Sequence, residues 1–181
     1  MWIANKYQML SITIMKGQAN LLIFILLFII SLFLFVAASS WSTNIFQQNV
    51  DVTNIQNAEK FMRGLDTGII NLVKYGGSQE FRYNVVGGTI EIGTNTVEIK
   101  IPVSIQLQKQ WVNLTSDGSF IQERQEGNTL RIQAVYNQTD YKIEFIPGGS
   151  SLANPEYVTI ERNSTYIDNG KTVIRIKITF A

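Results

Sequence analysis

The chain contains no cysteine and no histidine among its 181 residues. The absence of cysteine excludes disulfides and thiolate metal sites. The absence of histidine removes the commonest general base and the commonest metal ligand. Carboxylates occur singly along the sequence, so no acid–base or nucleophile constellation is recognisable. We therefore expect no enzymatic activity, no catalytic residue, no metal ligand and no cofactor.

Excess charge of either sign is also lacking, since 15 basic side chains are balanced by 14 acidic ones. No stretch of the sequence predicts a basic face of the kind that binds nucleic acid, so no nucleic-acid partner is expected. Charge is absent altogether between Lys16 and Asp51. This uncharged interval is the most informative feature of the sequence.

The uncharged interval begins with an apolar run of eighteen residues, 21–38, in which Ser31 is the single hydroxyl. As a helix the run spans roughly 27 Å, close to the ~30 Å hydrocarbon core of a bilayer. Each Leu, Ile, Phe or Val favours insertion by about 0.3–0.6 kcal/mol. The sum is on the order of 5–10 kcal/mol, and the run is therefore predicted to insert into a membrane.

Three fates are open to such a run. It is a secretory signal cut after the small residues Val36-Ala37-Ala38, a retained anchor, or the N-terminal helix of a pilin that is cut just before the apolar stretch. Lys6 and Lys16 precede the run without any acidic residue. This asymmetry favours a cytoplasmic N-terminus and an extracytoplasmic C-terminal domain.

The residues Lys16-Gly17-Gln18 bear on the choice between these fates. They resemble the class III signal peptide of archaeal type IV pilin-like proteins, in which a basic residue and Gly precede the cleavage site. The resemblance covers about residues 15–38. It implies a leader, 1–17, that a prepilin-type leader peptidase recognises at Lys16, Gly17 and Gln18. Many pilins carry Glu at the fifth mature position, where this chain has Leu22, and this departure favours a minor or accessory subunit.

The next segment, from about Ile45 to Tyr75, has the period of an amphipathic helix. Gly76-Gly77 is expected to end it. Gly64 and Gly68 lie four residues apart on one face, and we interpret them as a weak or bent turn rather than a close backbone contact. The predicted apolar stripe consists of Ile55, Ala58, Phe61, Met62, Leu65, Ile69, Leu72 and Val73.

Beyond Gly77 the apolar period changes to two, which predicts short strands. Pro102 is expected at a sheet edge because it lacks a donor, and 147–155 is expected to be a loop. The predicted strands are 79–85, 89–92, 96–103, 105–114, 119–125, 130–136, 140–146, 157–161 and 172–180.

These patterns predict an α+β fold class. An N-terminal membrane or pilin-like helix continues into an amphipathic helix that packs on an antiparallel β-sandwich or curled sheet. The predicted organisation is a leader (1–17), an apolar helix (18–40), an amphipathic helix (41–77) and a β-domain (78–181).

Three acceptor sequons predict possible N-glycosylation at Asn113, Asn137 and Asn163. Asp117-Gly118 and 168–170 are interpreted as turns rather than calcium loops. The Gly-rich segment 148–151 lacks Lys and precedes no helix, so it is interpreted as a loop and not a phosphate site.

The leading hypothesis is a structural pilin-like subunit, minor or accessory, of an archaeal surface filament or its assembly machinery. Its expected partners are membrane lipid, the leader peptidase and other pilin-like subunits in a homo- or hetero-oligomer. The expected location is the cell membrane, or the filament after cleavage. The alternative is a single-pass anchored β-domain that binds an envelope component, a sugar or a protein.

Overall fold

A computed structural model describes residues 2–114, 120–148 and 151–181, with side chains described from Asn20 onward except at Ser151. The chain contains two compact units, Met1–Phe46 and Gln47–Ala181. Their elements, in chain order, are α1 (Trp2–Tyr75), β1 (Ser78–Arg82), β2 (Thr89–Ile92), β3 (Thr96–Pro102), β4 (Val112–Asn113), β5 (Phe120–Glu126), β6 (Thr129–Val135), β7 (Tyr141–Pro147), β8 (Ser151–Ala153), β9 (Tyr157–Asp168) and β10 (Lys171–Phe180).

The part of α1 that belongs to the second unit is amphipathic, as predicted. Met62, Leu65 and Ile69 are fully buried, because three- and four-residue spacing places them on one face of the helix. The helix ends at Tyr75. Gly76 and Gly77 then adopt left-handed conformations, with φ of 74° and 95°. Glycine adopts these φ values without the steric clash that a Cβ atom would cause, so the chain leaves the helix at this point.

The strands form two sheets, with the orders β1-β9-β10-β7 and β4-β5-β6-β3-β2-β8. Among the described strands, all pairings are antiparallel except that of β7 with β10, which is parallel. The predicted antiparallel sheet therefore contains one parallel pair, and the first of the two sheets is mixed. A parallel pair requires a crossover connection, and the chain between Pro147 and Lys171, which includes β8 and β9, supplies it.

Three further predictions, of two strands and one loop, differ from the structure. Only Val112–Asn113 of the expected strand 105–114 pairs in a sheet, because its earlier backbone is held by the side chain of Gln125. Conversely, the expected loop 147–155 contains β8, which pairs with β2. The strand predicted as 157–161 extends to Asp168.

Pro102 lies at the end of β3, which is an interior strand, but among the described residues the strand's end has no paired strand on the side of the missing donor, as predicted. The β2–β3 ladder ends at the pair Thr89–Lys100, two residues before the proline. The N–H of the next residue, Val103, donates toward the β6 side, to Asn128 O at 2.8 Å. Since successive N–H groups point to opposite sides of a strand, the missing Pro102 donor faces the side where β2 has already ended.

The helix and both sheets share one apolar core. The second sheet contributes Ile99 and Ile132, and the first contributes Ile160 and Ile176, all fully buried. The fold class is therefore α+β, and the prediction that the helix packs on β-structure is confirmed. Because Leu65 is 0% exposed, the helix from Gln47 onward is part of the domain's core.

Candidate functional site

The first candidate site is the apolar part of α1. Every described side chain from Asn20 through Asn49 is exposed, including Phe33 at 73%. This helix is long and apolar enough to cross a membrane. Exposed apolar surface of this extent marks contact with lipid or with other protein. The side chains offer no charge or metal ligand, so the segment's chemistry is limited to apolar burial.

The predicted leader junction lies within the same helix. The backbone of α1 is helical through Lys16, Gly17 and Gln18, while their side chains lie outside the described ones. Leu22, at the position where many pilins carry Glu, is 66% exposed. Cleavage after Gly17 and the role of these three residues remain predictions.

The second candidate site is a row of polar side chains on α1 that we call the helix–loop contact, comprising Asp51, Asn54 and Asn57. The amide of Asn54 donates to Val86 O at 3.1 Å and accepts from Val86 N at 3.2 Å. Asn57 donates to the carbonyl of Asn84 at 3.1 Å. These side chains satisfy backbone groups of the β1–β2 connection that have no strand partner.

Asp51 fastens the same helix to a second loop. Its carboxylate is 2% exposed and accepts hydrogen bonds from the N–H of Ser104 at 2.6 Å and from the Ser104 hydroxyl. Gln47, one turn earlier, donates to it at 3.0 Å. Burial acts to raise the pKa of Asp51, but these hydrogen bonds outweigh burial and the net effect is a lowered pKa. The group is therefore held as a carboxylate at neutral pH.

Gln125 organises the loop that follows Ser104. The side chain is 9% exposed, accepts from the N–H of Leu107, and donates to Ile105 O and Gly127 O, each at 3.0 Å. One buried amide therefore replaces the missing strand pairing over these residues.

Gly64 and Gly68 of the helix face an aromatic ring, that of Phe81. A Cβ on Gly68 would lie 2.5 Å from Phe81 Cζ, whereas one on Gly64 would lie 3.9 Å from Phe81 Cδ1. Phe81 also forms an edge-to-face pair with Phe61, with ring centroids 6.5 Å apart. A side chain, and not a neighbouring backbone, makes the close approach at this face.

Acidic side chains also face the interior. Glu123 lies opposite the buried Ile132 in the β5–β6 ladder, and its Oε2 is buried without a hydrogen-bond partner among the described residues. Burial, followed by the negative charge of Glu59, raises the pKa of Glu123. Burial likewise raises the pKa of Tyr136, with the neighbouring Asp66 contributing further.

Metal binding and the turn predictions can be examined over most of the chain. Within residues 2–114, 120–148 and 151–181, no cluster of three His, Cys, Asp or Glu side chains could hold a metal ion. The turn between β9 and β10 is confirmed, with Asn169 and Gly170 at φ of 49° and 78°. The predicted turn at Asp117-Gly118, and Gly149-Ser150 of the predicted Gly-rich loop, lie outside the described residues.

The three sequon asparagines are all exposed: Asn113 in β4, Asn137 after β6 and Asn163 in β9. The third residue of the first sequon, Thr115, lies outside the described residues. Exposure is necessary for glycosylation but is shared by many asparagines, so modification at these positions remains a prediction.

The sequence indicated the apolar helix but not the helix–loop contact or the inward Glu123. The available signal for the contact was the three-residue spacing of Asp51, Asn54 and Asn57 beside the apolar stripe. Comparison with known proteins adds no assignment, because no family model, no curated protein and no solved structure matches this chain.

Proposed function

We propose that this chain is a structural, pilin-like subunit, minor or accessory, of an archaeal surface filament or of its assembly machinery. The observation that carries the proposal is one helix with two chemically distinct parts. Residues 20–46 expose an uncharged apolar surface, while the part from Gln47 to Tyr75 is built into the core of a β-domain. An assembled subunit needs both a surface that buries against lipid or like helices and a domain that stays folded outside.

The apolar surface suits either lipid or neighbouring helices of the same kind. Phe24, Leu26 and Leu27 are 71%, 58% and 54% exposed, and helical geometry places them on different sides of the helix, so the helix presents large apolar side chains all round. Over residues 21–38 this surface carries no charge and a single hydroxyl, that of Ser31, so it gains free energy from any apolar cover, at roughly 25 cal/mol per Å². This is consistent with storage in the membrane before assembly and burial among other pilin-like subunits afterward.

The polar contacts between the helix and the β-domain support a structural role for the helix. Asp51 and Asn54 bind two loops of the β-domain through backbone groups, while Leu65 and Ile69 pack in its core. A helix held by both kinds of contact does not separate from its domain without exposing apolar side chains and unpaired polar groups. This supports a structural function for the helix over that of a free tether.

The leader sequence supports the pilin-like assignment. Leu22, which replaces the Glu of many pilins, supports the role of a minor or accessory subunit. In this proposal the leader peptidase cuts after Gly17, and Gln18 becomes the first residue. The N-terminus is cytoplasmic before cleavage, and the β-domain is extracytoplasmic, where glycosylation of Asn113, Asn137 or Asn163 takes place.

The direct test is the N-terminal sequence of protein extracted from membranes. Cleavage predicts Gln18 as the first residue, and a Gly17→Val variant should keep its leader. Ala4→Val, a change of similar size within the leader, is the matched control and should be processed normally. An intact leader in the parent protein, or a first residue near Ser39, would contradict the proposal.

The anchored binding domain is the competing function. A binding site built on apolar residues would show as a contiguous patch on a sheet. Large apolar side chains that are exposed on the described strands lie apart, with Phe120 on β5, Leu152 on β8 and Ile167 on β9. Electron microscopy of cells that carry a tagged protein separates the two functions, because only a filament subunit labels filaments.

A further inference from the structure

A polar cleft lies where the two sheets meet. Its walls come from the β2–β3 turn and the connection between β6 and β7, which are joined by hydrogen bonds from Tyr136 N to Asn95 O at 3.0 Å and from Phe145 N to Thr94 O at 2.8 Å. The cleft has a volume of about 340 Å³. This lies near the lower end of the roughly 300–1,000 Å³ of small-molecule sites, and it exceeds the space that one sugar ring requires.

Four of the seven described residues that line the cleft carry amide or aliphatic hydroxyl side chains. Thr94, Asn95, Asn137 and Gln138 all contribute to the cleft. Asn95 Nδ2 donates to Asn137 Oδ1 at 2.6 Å, so this contact leaves the oxygen of Asn95 and the nitrogen of Asn137 available for other bonds. Gln138 Oε1 is buried and has no hydrogen-bond partner among the described residues.

A buried polar atom without a partner costs about 1–3 kcal/mol. Buried polar atoms that have no partner within the protein are uncommon, and water or a ligand commonly supplies the missing hydrogen bond. Gln138 lines the cleft together with Asn95 and Asn137. A ligand that offers several hydroxyl groups would satisfy the buried Gln138 oxygen once the side chain turns that oxygen toward the cleft.

Aromatic rings and the charge balance narrow the ligand class. Tyr136 and Tyr141 line the cleft alongside Lys142. The amino group of Lys142 donates to Glu144 at 2.8 Å, so its charge already has a partner. Among the residues that the structure describes, no acidic side chain lines the cleft. Amides match hydroxyl groups, which both donate and accept, and tyrosine rings present apolar faces beside a polar group.

We infer that this cleft binds a neutral saccharide, with Gln138 and Asn95 bonding its hydroxyl groups and Tyr141 contacting its ring. The inference goes beyond the structural role proposed above and does not depend on it. A sugar ring has two possible sources here, because Asn137 is also a sequon asparagine. The proposal is that the cleft holds a free or terminal saccharide and not the first residue of a glycan attached to Asn137.

The test uses full-length protein from a host without N-glycosylation, in dodecylphosphocholine micelles, because maltoside detergents carry sugar head groups. The probes are glucose, galactose, mannose and N-acetylglucosamine, each at millimolar concentration in saturation-transfer NMR. At least one should receive saturation on its ring protons. Gln138→Leu and Tyr141→Ala should each weaken its binding by about tenfold, the factor that corresponds to roughly 1.4 kcal/mol.

Gln122→Leu is the matched control, since Gln122 is also partly buried and lies on β5, away from the cleft; it should bind like the parent. Circular dichroism checks that each variant is folded, and Asn95→Asp provides a second, more conservative change that should also weaken binding. The proposal is overturned if folded parent protein binds none of the four sugars, or if all three cleft variants bind as tightly as the control. A glycan found on Asn137 in protein from its own cells, together with no binding of free sugar, would also overturn it.

Discussion

The two parts of α1 show how one helix can serve two environments. Between Asn20 and Phe46 every described side chain is exposed and none carries charge. From Gln47 to Tyr75 the helix has a buried apolar face, flanked by Asp51 and Asn54, whose side chains bond loop backbone. Secondary structure is the same in both parts, so the difference arises from the side chains alone. A helix that is apolar on all sides must be covered by lipid or by another protein. A helix with one apolar stripe is covered by the rest of its own domain.

The largest expected effect comes from truncating one leucine in each part. Leu65→Ala removes a fully buried side chain and should lower the free energy of unfolding of the β-domain by roughly 2–5 kcal/mol, because it leaves a cavity. Leu26 is 58% exposed, and Leu26→Ala should change that free energy by less than about 0.5 kcal/mol. Denaturant unfolding of the full chain in micelles measures both. Equal losses of unfolding free energy in the two variants would contradict the distinction between the two parts of the helix.

The helix–loop contact should give the next largest effect. Asp51→Ala leaves the Ser104 N–H buried without its acceptor and should cost about 2–3 kcal/mol. Because the pKa of Asp51 is lowered from 3.8 in the folded protein, its contribution is present above pH 3.8 and is lost as the pH falls through the lower folded value. The gap between parent and variant melting temperatures should therefore narrow in strong acid, and a gap that does not depend on pH would contradict this role.

Substitution of Gly64 and of Gly68 by alanine should change the stability of the domain in opposite directions. Gly68→Ala places a methyl group 2.5 Å from Phe81 Cζ and should destabilise by about 1–3 kcal/mol through overpacking. Gly64→Ala meets Phe81 only at ordinary contact distance and should stabilise by about 0.5–1 kcal/mol, since Ala is the better helix former. Thermal melting compares them directly. Stabilisation by both would show that Phe81 is not seated against Gly68.

The smallest effect is expected at the inward Glu123. Glu123→Gln should stabilise the domain by about 1 kcal/mol at pH 7, because it removes the negative charge of a carboxylate whose Oε2 is buried without a hydrogen-bond partner among the described residues. The pKa of Glu123 is raised from 4.5, so the folded state holds its proton more firmly than the unfolded state. Its cost therefore appears as the pH rises above 4.5. Melting temperatures of parent and variant should converge below that pH, and a destabilised variant at pH 7 would refute the account.

Much of the fold was predictable because it follows from periodicity. The stripe through Leu65 and Ile69 and the alternation in β6 and β10 each depend on neighbours close in sequence. Turn residues added the β9–β10 hairpin, where Asn169 and Gly170 adopt positive φ. Such features need no knowledge of which strands pair.

The remaining features depend on contacts between residues distant in sequence. The parallel pairing of β7 with β10 and the role of Gln125 in place of a strand partner arise from packing, which a local pattern does not encode. The cleft beside Asn137 is likewise assembled from two connections that are distant in sequence. The hydrogen bond from Asn95 to Asn137 joins residues that are 42 positions apart. No spacing rule joined these residues in advance.

The most direct test of the central claim is the composition of surface filaments sheared from cells that make this protein. Mass spectrometry of the purified filaments identifies the chain and its first residue in one measurement. The account predicts that the protein is present in the filament fraction, that its first residue is Gln18, and that residues 1–17 are missing. A protein confined to the membrane fraction, or one in filaments with its leader intact, would contradict it.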